Sequence, residues 1–526
     1  KSLGTDGSGE FVNRTLDEIT YNKKIVLKHK KQMVFSSHIF LFYFLPLALA
    51  LYFIVGRKWK NAILTLTSYV FYGWGEPSFV LLLLLSTCID WGCGLVLMDC
   101  PRVSNEPLQR GGARSRKQKI ALFVSVVSNL SLLGFFKYCD FGISNWNLIV
   151  QSLFPEHGEL LLPLLHISLP LGISFYTFQS MSYTIDVYRG DAKGITNIVD
   201  FACYVSLFPQ LVAGPIVRAR DFIPQIRRPL MVSERMFGAG VGFIIIGLIK
   251  KAIIADYISL NFVDRIFDEP GLYSGFECLL GIYGYALQIY CDFSGYSDMA
   301  VGLGQMLGFH FPKNFDFPYM SKSITEFWRR WHISLTTWFR DYVYIPLGGS
   351  RPNIPEAIRL KGDKASEARY AKAIAIRNTF VIFLLSGLWH GANWTFVLWG
   401  AYHALLFVPL FLLGKNRRYR DDDQTWRDIP RMLLTFVLVV IGWILFRSPD
   451  MGSCVEYLAG ICHSSILSVP FVENALHLAV TGIAILVMLT MEWRKQLPNR
   501  WWMYFALTIA IWWFAGQDMD FIYFQF

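Results

Sequence analysis

Gly387–Leu388–Trp389–His390–Gly391–Ala392–Asn393–Trp394 lies between two apolar runs, Thr379–Leu385 and Thr395–Leu413. One ionisable side chain, His390, therefore falls inside sequence of membrane character. Imidazole is the side chain best suited to trading protons near neutral pH. An ionisable group within a membrane segment is costly and usually faces a cavity or a substrate path. Gly387 and Gly391 flank His390 at helical spacing, with Ser386 beside them. Small residues there let another backbone, or a substrate, come close. The plainer reading is a buried histidine bonded to a neighbouring carbonyl. The default of function for intramembrane polar groups favours the first.

The surroundings are those of a polytopic protein. The chain has 526 residues, 54% hydrophobic and only 17% charged, where a soluble domain carries about 25%. Long apolar runs recur, and no segment alternates as a transmembrane barrel strand would. The fold class expected is all-α: about eleven tilted spans of about 20 residues, with re-entrant or interfacial helices. The net charge of +10 is no nucleic-acid signal. Its Lys and Arg residues cluster in short loops, as the positive-inside rule expects of cytoplasmic ones. The clearest run from Arg102 to Lys119 and from Ser350 to Arg377. Nine cysteines lack metal-ligand spacing and read as small hydrophobes. A Cys454–Cys462 disulfide is open but unsupported.

Residues 1–32 are polar and Lys-rich and read as a foreign or upstream extension. From Met33 the apolar runs follow closely: to Val55, then Ile63–Trp74, Phe79–Met98 and Ile120–Phe136. Phe141–Phe154 is short enough to lie at the interface. Leu160–Tyr188 carries Pro163, Pro170 and Gly172 and predicts a bent span. Phe201–Ala213 predicts a re-entrant segment. Phe237–Leu260 is a span ending near Lys250 and Lys251. Gly275–Tyr290 leads to a polar stretch, Asp292–Asp298, and a further helix to Gly308. Ser323–Ile324–Thr325–Glu326 has a capping-box pattern that opens an aromatic, amphipathic helix carrying Trp328, Trp331 and His332 on to Asp341. Asn378–Trp389, Thr395–Leu413, Met432–Phe446, Leu476–Met491 and Trp501–Phe514 complete the set. No inverted repeat of the transporter kind is visible.

Two histidines are the candidates for chemistry, His390 and His332. For His332 an interfacial place on an aromatic-belt helix is a serious rival. Two imidazoles at one cavity would suit proton transfer from a hydroxyl to a leaving thiol. Asp292 and Asp298 bracket Ser294 and Tyr296 and would pair with Arg residues at a helix break or line a polar passage, the structural role being favoured. Asp186 and Arg189 read as a helix-end pair, and His166 and His403 as ordinary histidines. The absence of a G-x-S-x-G elbow, a phosphate loop and H-E-x-x-H argues against a serine hydrolase, an ATP-driven pump and a zinc enzyme.

The blocks Met33–Ser37, Leu171–Gln179, Gly214–Arg218, Asp292–Ala300, Ile324–Leu335, Gly387–Trp394 and Phe521–Phe526 occur in the order seen in one family. Through them the chain from 33 to 526 resembles the membrane-bound O-acyltransferase family, in its bacterial alginate O-acetylase branch. The resemblance implies one domain, a ring of helices around a central passage open to both membrane faces. It implies a catalytic His390, with His332 in the same passage among Trp389, Asn393, Trp328, Trp331, Asp292, Ser294 and Tyr296. It implies no metal and an acetyl thioester donor such as acetyl-CoA. It further implies a multi-pass protein of the bacterial inner (cytoplasmic) membrane, in contact with lipids, an exported acetyltransferase and polysaccharide-secretion proteins. The expected reaction moves acetyl from the cytoplasmic donor to an extracytoplasmic hydroxyl, for a cell-surface polysaccharide. His390 would be the general base, and His332 would orient the thioester or stabilise the oxyanion. A non-enzymatic export passage, or a same-fold acyltransferase acting on protein or lipid, are the alternatives.

Overall fold

Apolar sequence must satisfy its backbone internally, and helices do so within one segment. Every regular element among the described residues is accordingly helical. A computed structural model describes residues 33–98, 108–228, 231–349, 354–359, 363–414, 425–463, 475–494 and 501–514. The 1–32 extension, Arg102 and the closing Phe521–Phe526 block lie outside them.

The helices are α1 (Leu45–Ile54), α2 (Lys60–Gly73), α3 (Ser78–Leu97), α4 (Arg116–Leu153), α5 (Ile173–Arg189), α6 (Ile198–Ser206), α7 (Phe208–Leu211) and α8 (Ala219–Arg227). Next come α9 (Glu234–Asp268), α10 (Gly275–Leu307), α11 (Ile324–Arg330), α12 (Ile333–Phe339), α13 (Lys364–His390) and α14 (Trp394–Leu412). The last are α15 (Ile429–Arg447), α16 (Met451–His463), α17 (Ala475–Arg494) and α18 (Trp501–Phe514). Seven described helices are long and apolar enough to cross a membrane: α3, α4, α9, α13, α14, α15 and α17. Shorter apolar helices, Phe40–Ile54 and Met451–Cys462, accompany them. The chain is a multi-pass α-helical membrane protein, whose outer helix faces meet lipid.

Several boundaries differ from the sequence reading. Phe141–Phe154 is no separate interfacial helix. It continues α4, whose 38 residues start at a Ser115–Gln118 capping box. The predicted bent span over Leu160–Tyr188 is not helical before Ile173. Pro163 and Pro170 fall in irregular chain, and α5 begins after Gly172 at φ +69°. Asp292–Asp298 interrupts nothing, because α10 runs unbroken for 33 residues from a Ser274–Glu277 capping box. The aromatic helix is not interfacial: Trp328, Trp331 and Trp338 are buried in the core. It also breaks at His332. Cys454 and Cys462 are both free thiols. Asp363 caps α13, and the Ser366 hydroxyl and the Ala365 N–H hold its carboxyl below the usual carboxylate range.

The long pair α9 and α10 is drawn together by glycine. A Cβ on Gly240 would lie 2.6 Å from the Gly302 carbonyl oxygen, and one on Gly295 2.7 Å from that of Gly247. The two glycines on each helix are seven residues apart, so they share one face, and the antiparallel backbones touch twice along it. The seam continues into ion pairs. Lys250 Nζ meets Asp298 at 2.7 Å, and Lys251 Nζ meets Asp256 at 2.9 Å and Asp292 at 3.1 Å. A π-helical turn over Ile249–Asp256 lets both neighbouring lysines reach these carboxylates. The aspartates thus pair with lysines inside an unbroken helix, not with arginines at a helix break. Asp186 and Arg189 do not form the expected pair either: Asp186 accepts from Tyr342 Oη at 2.7 Å, and Arg189 donates to the Asp341 carbonyl at 3.1 Å.

Overpacking of this kind typically costs about 1–3 kcal/mol. Gly295→Val should therefore lower the melting temperature of the detergent-solubilised protein clearly. Gly134→Ala, where a Cβ meets nothing within 4 Å, should leave it unchanged or slightly raised.

Candidate active site

His390 is the last residue of α13. The helix ends because Gly391 turns to extended backbone, at φ −164°. Asn393 then caps α14 by accepting from Thr395 N at 3.1 Å. The helices α13 and α14 pack too closely for side chains at their contact. A Cβ on Gly387 would collide with the Phe396 carbonyl, and one on Gly400 with that of Phe383. Of the two glycines that flank His390, Gly387 thus admits another backbone, and Gly391 admits the ring of Phe396. The buried imidazole sits edge-on among Trp389, Trp399 and Phe446, with ring centroids 5.1, 5.3 and 5.1 Å away.

His332 stands at the break between α11 and α12, in the left-handed region at φ +42°. That conformation costs a non-glycine residue roughly 1–2 kcal/mol. Asn314 holds the break. Its carbonyl accepts from Ile333 N at 2.8 Å. Its Oδ1 accepts from Ser334 Oγ at 2.9 Å and Ser334 N at 3.3 Å, and its Nδ2 donates to Ser297 Oγ at 3.0 Å. His332 Nδ1 lies 3.1 Å from the same Oδ1. A backbone N–H can only donate, so the atom it faces is the amide oxygen, and Nδ1 must carry the proton that points there. In the neutral ring Nε2 then holds a lone pair. That nitrogen is buried and has no hydrogen-bond partner among the described residues.

Both histidines line one cavity of about 50 Å³, together with Trp328, Trp331, Ser386 and the apolar side chains of α12 and α13. Trp389 does not line it but braces both rings, 6.0 Å from His332 and 5.1 Å from His390. The other predicted passage residues stand apart from this cavity. Asn393 is a helix cap that also donates to the Pro449 carbonyl at 2.6 Å. Asp292 is in the lysine pair. Tyr296 stacks on Phe35 at 4.3 Å. Ser294 is buried on α10. What α10 does send to the site is Phe293, edge-on to His332 at 4.7 Å.

Three functional candidates escaped the sequence reading. Asn314 lies in a loop and carries no motif. Lys137 and Tyr138 lie on α4, and both reach the end of α13. Lys137 is a cation in a largely apolar segment, a readable signal that lies one residue past the expected span Ile120–Phe136. Among the described residues no group of three or more His, Cys, Asp or Glu side chains gathers as a metal site.

The fold and the cavity define a multi-pass helical membrane protein that encloses two histidines in an aromatic chamber. Comparison with known proteins adds the kinship. The membrane-bound O-acyltransferase family profile matches residues 191–357. The probable alginate O-acetylase AlgI of Pseudomonas aeruginosa is 42% identical over 419 residues, covering 80% of this chain and 73% of that protein. The peptidoglycan O-acetyltransferase of Helicobacter pylori is 32% identical, covering 82% of both chains. The teichoic acid D-alanyltransferase of Bacillus subtilis is 30% identical over 52% of this chain and 68% of its own. The chain belongs to the membrane-bound O-acyltransferase family and is an O-acyltransferase.

Asn314 holds both the tautomer and the direction of the His332 ring, so Asn314→Ala should lower kcat by about tenfold or more, since a misplacement of about 1 Å can cost on the order of 10²-fold. Asn314→Asp keeps an acceptor for Nδ1–H and should retain more activity than the alanine variant. Turnover of the two purified variants checks the ordering.

Proposed function

We propose that residues 33–526 form one acyltransferase domain that moves an acetyl group across the bacterial inner membrane. The donor is a cytoplasmic thioester such as acetyl-CoA. The acceptor is a hydroxyl reached from the extracytoplasmic side, and the end product is an acetylated cell-surface polysaccharide. The supporting observation is that His390 and His332, 58 positions apart in sequence, line one cavity. A passage to that cavity from both faces belongs to the same reading, as do Trp328 and Trp331 as its walls.

In this reading the hydroxyl oxygen attacks the thioester carbonyl carbon while His390 takes the hydroxyl proton. The C–S bond then breaks, and the proton leaves with the thiolate. A base in this role contributes about 10²- to 10⁴-fold in rate. Of the two roles open to His332, the tautomer set by Asn314 favours orientation. A bare Nε2 accepts a hydrogen bond and has no proton to give an oxyanion. An exported acetyltransferase would receive the group on the outer face and pass it to the polymer. The alginate O-acetylase relatives favour an exopolysaccharide as the acceptor, and the Helicobacter relative makes peptidoglycan the runner-up.

His390→Ala should insert and fold normally yet abolish acetylation. Acetyl analysis of the secreted polymer and the cell wall from a strain carrying only that variant is the test. Normal acetyl content in both, at normal protein level, would refute the role.

A further inference from the structure

A helix that stops in the interior leaves carbonyls with no intrahelical donor. At the end of α13 these are the carbonyls of Leu388, Trp389 and His390, and two consecutive residues of α4 meet all three. Tyr138 Oη donates to Leu388 O at 2.6 Å. Lys137 Nζ donates to Trp389 O and, at 3.1 Å, to His390 O. The same ammonium lies 5.9 Å from the centre of the Trp389 ring. No carboxylate pairs with Lys137 among the described residues. A cation in the apolar part of a membrane helix is expensive, and carbonyls are one of the few partners that make it tolerable. A positive charge also suits the negative end of the α13 dipole.

We propose that Lys137 and Tyr138 form a clamp that fixes the end of α13 and thereby aims the His390 ring into the cavity. Neither residue lines the cavity, so both act through His390 as positioning residues. The proposal rests on the acyl-transfer reading of His390. Its physical basis is that Lys137 grips the two peptide units that flank the His390 Cα, through Trp389 O and His390 O, while Tyr138 holds the unit before them. A ring displaced by about 1 Å can cost on the order of 10²-fold in rate.

The test uses full-length enzyme and three variants, with turnover measured per folded molecule and the donor thioester varied. Lys137→Met keeps the stem and removes the donor. It should lower kcat about 10- to 100-fold with the KM for the thioester unchanged. Lys137→Arg donates to the same carbonyls and should recover part of that loss. Tyr138→Phe loses one bond, remote from the ring, and should cost only a few-fold. A merely structural clamp would lower the yield or melting temperature of Lys137→Met while leaving kcat per folded molecule intact, and that result overturns the proposal. So does an arginine variant as slow as the methionine one. A fully active His390→Ala enzyme overturns the clamp and the acyl-transfer roles together. An inactive His390→Ala enzyme beside a fully active Lys137→Met enzyme overturns the clamp alone.

Discussion

Ending a helix in apolar surroundings creates an acute problem, because the last carbonyls have no intrahelical donor. The structure around His390 is arranged to meet that demand. Gly391 turns the chain away at extended φ, and Asn393 starts the next helix at once. From the third side, α4 supplies the two donors that the helix end lacks. The close backbone contacts at Gly387 and Gly400 belong to the same arrangement, because they leave α13 no room to slide against α14. The histidine is thus located by hydrogen bonds at its backbone and by aromatic rings at its side chain.

The second histidine obeys the same rule from the other direction. His332 sits where a helix is broken in its middle, in a backbone region that costs energy. The break is tolerated because the loop bearing Asn314 and Asp316 pairs with it. Asp316 N donates to Arg330 O at 2.9 Å, and Asn314 receives Ile333 N and Ser334. Irregular backbone at such a place persists only where protein or a cavity supports it. Here the support also decides which imidazole nitrogen carries the proton, so a folding requirement and a chemical one are met by a single amide.

Much of this was legible in the sequence, for stated reasons. The helical class followed from repeated apolar runs, and His390 followed from its isolation among them. His332 was found by residue type, but its surroundings were misjudged. A helix rich in Trp and Arg reads as interfacial when periodicity is all one has, and only tertiary packing shows Trp328 and Trp331 facing inward. Proline and glycine signals were overread at Leu160–Tyr188. The polar Asp292–Asp298 stretch was underread, because the lysines that neutralise it lie more than 40 positions away on another helix. The expected span Ile120–Phe136 stops one residue short of Lys137, which drew no reading. A continuous 38-residue helix hides that edge, and the charge is explained only by the distant carbonyls it meets.

The cavity at the two histidines is small and walled by rings. At about 50 Å³ it has room for a few water molecules. Its walls include the indoles of Trp328 and Trp331 and the side chains of Leu335, Phe339 and Phe383. Trp328 packs edge-on against Phe383, and Trp331 and Phe339 pack on Trp443 and Phe178 behind them, so widening it would disturb many contacts at once. The aromatic packing thus holds the cavity to one shape around the two histidines.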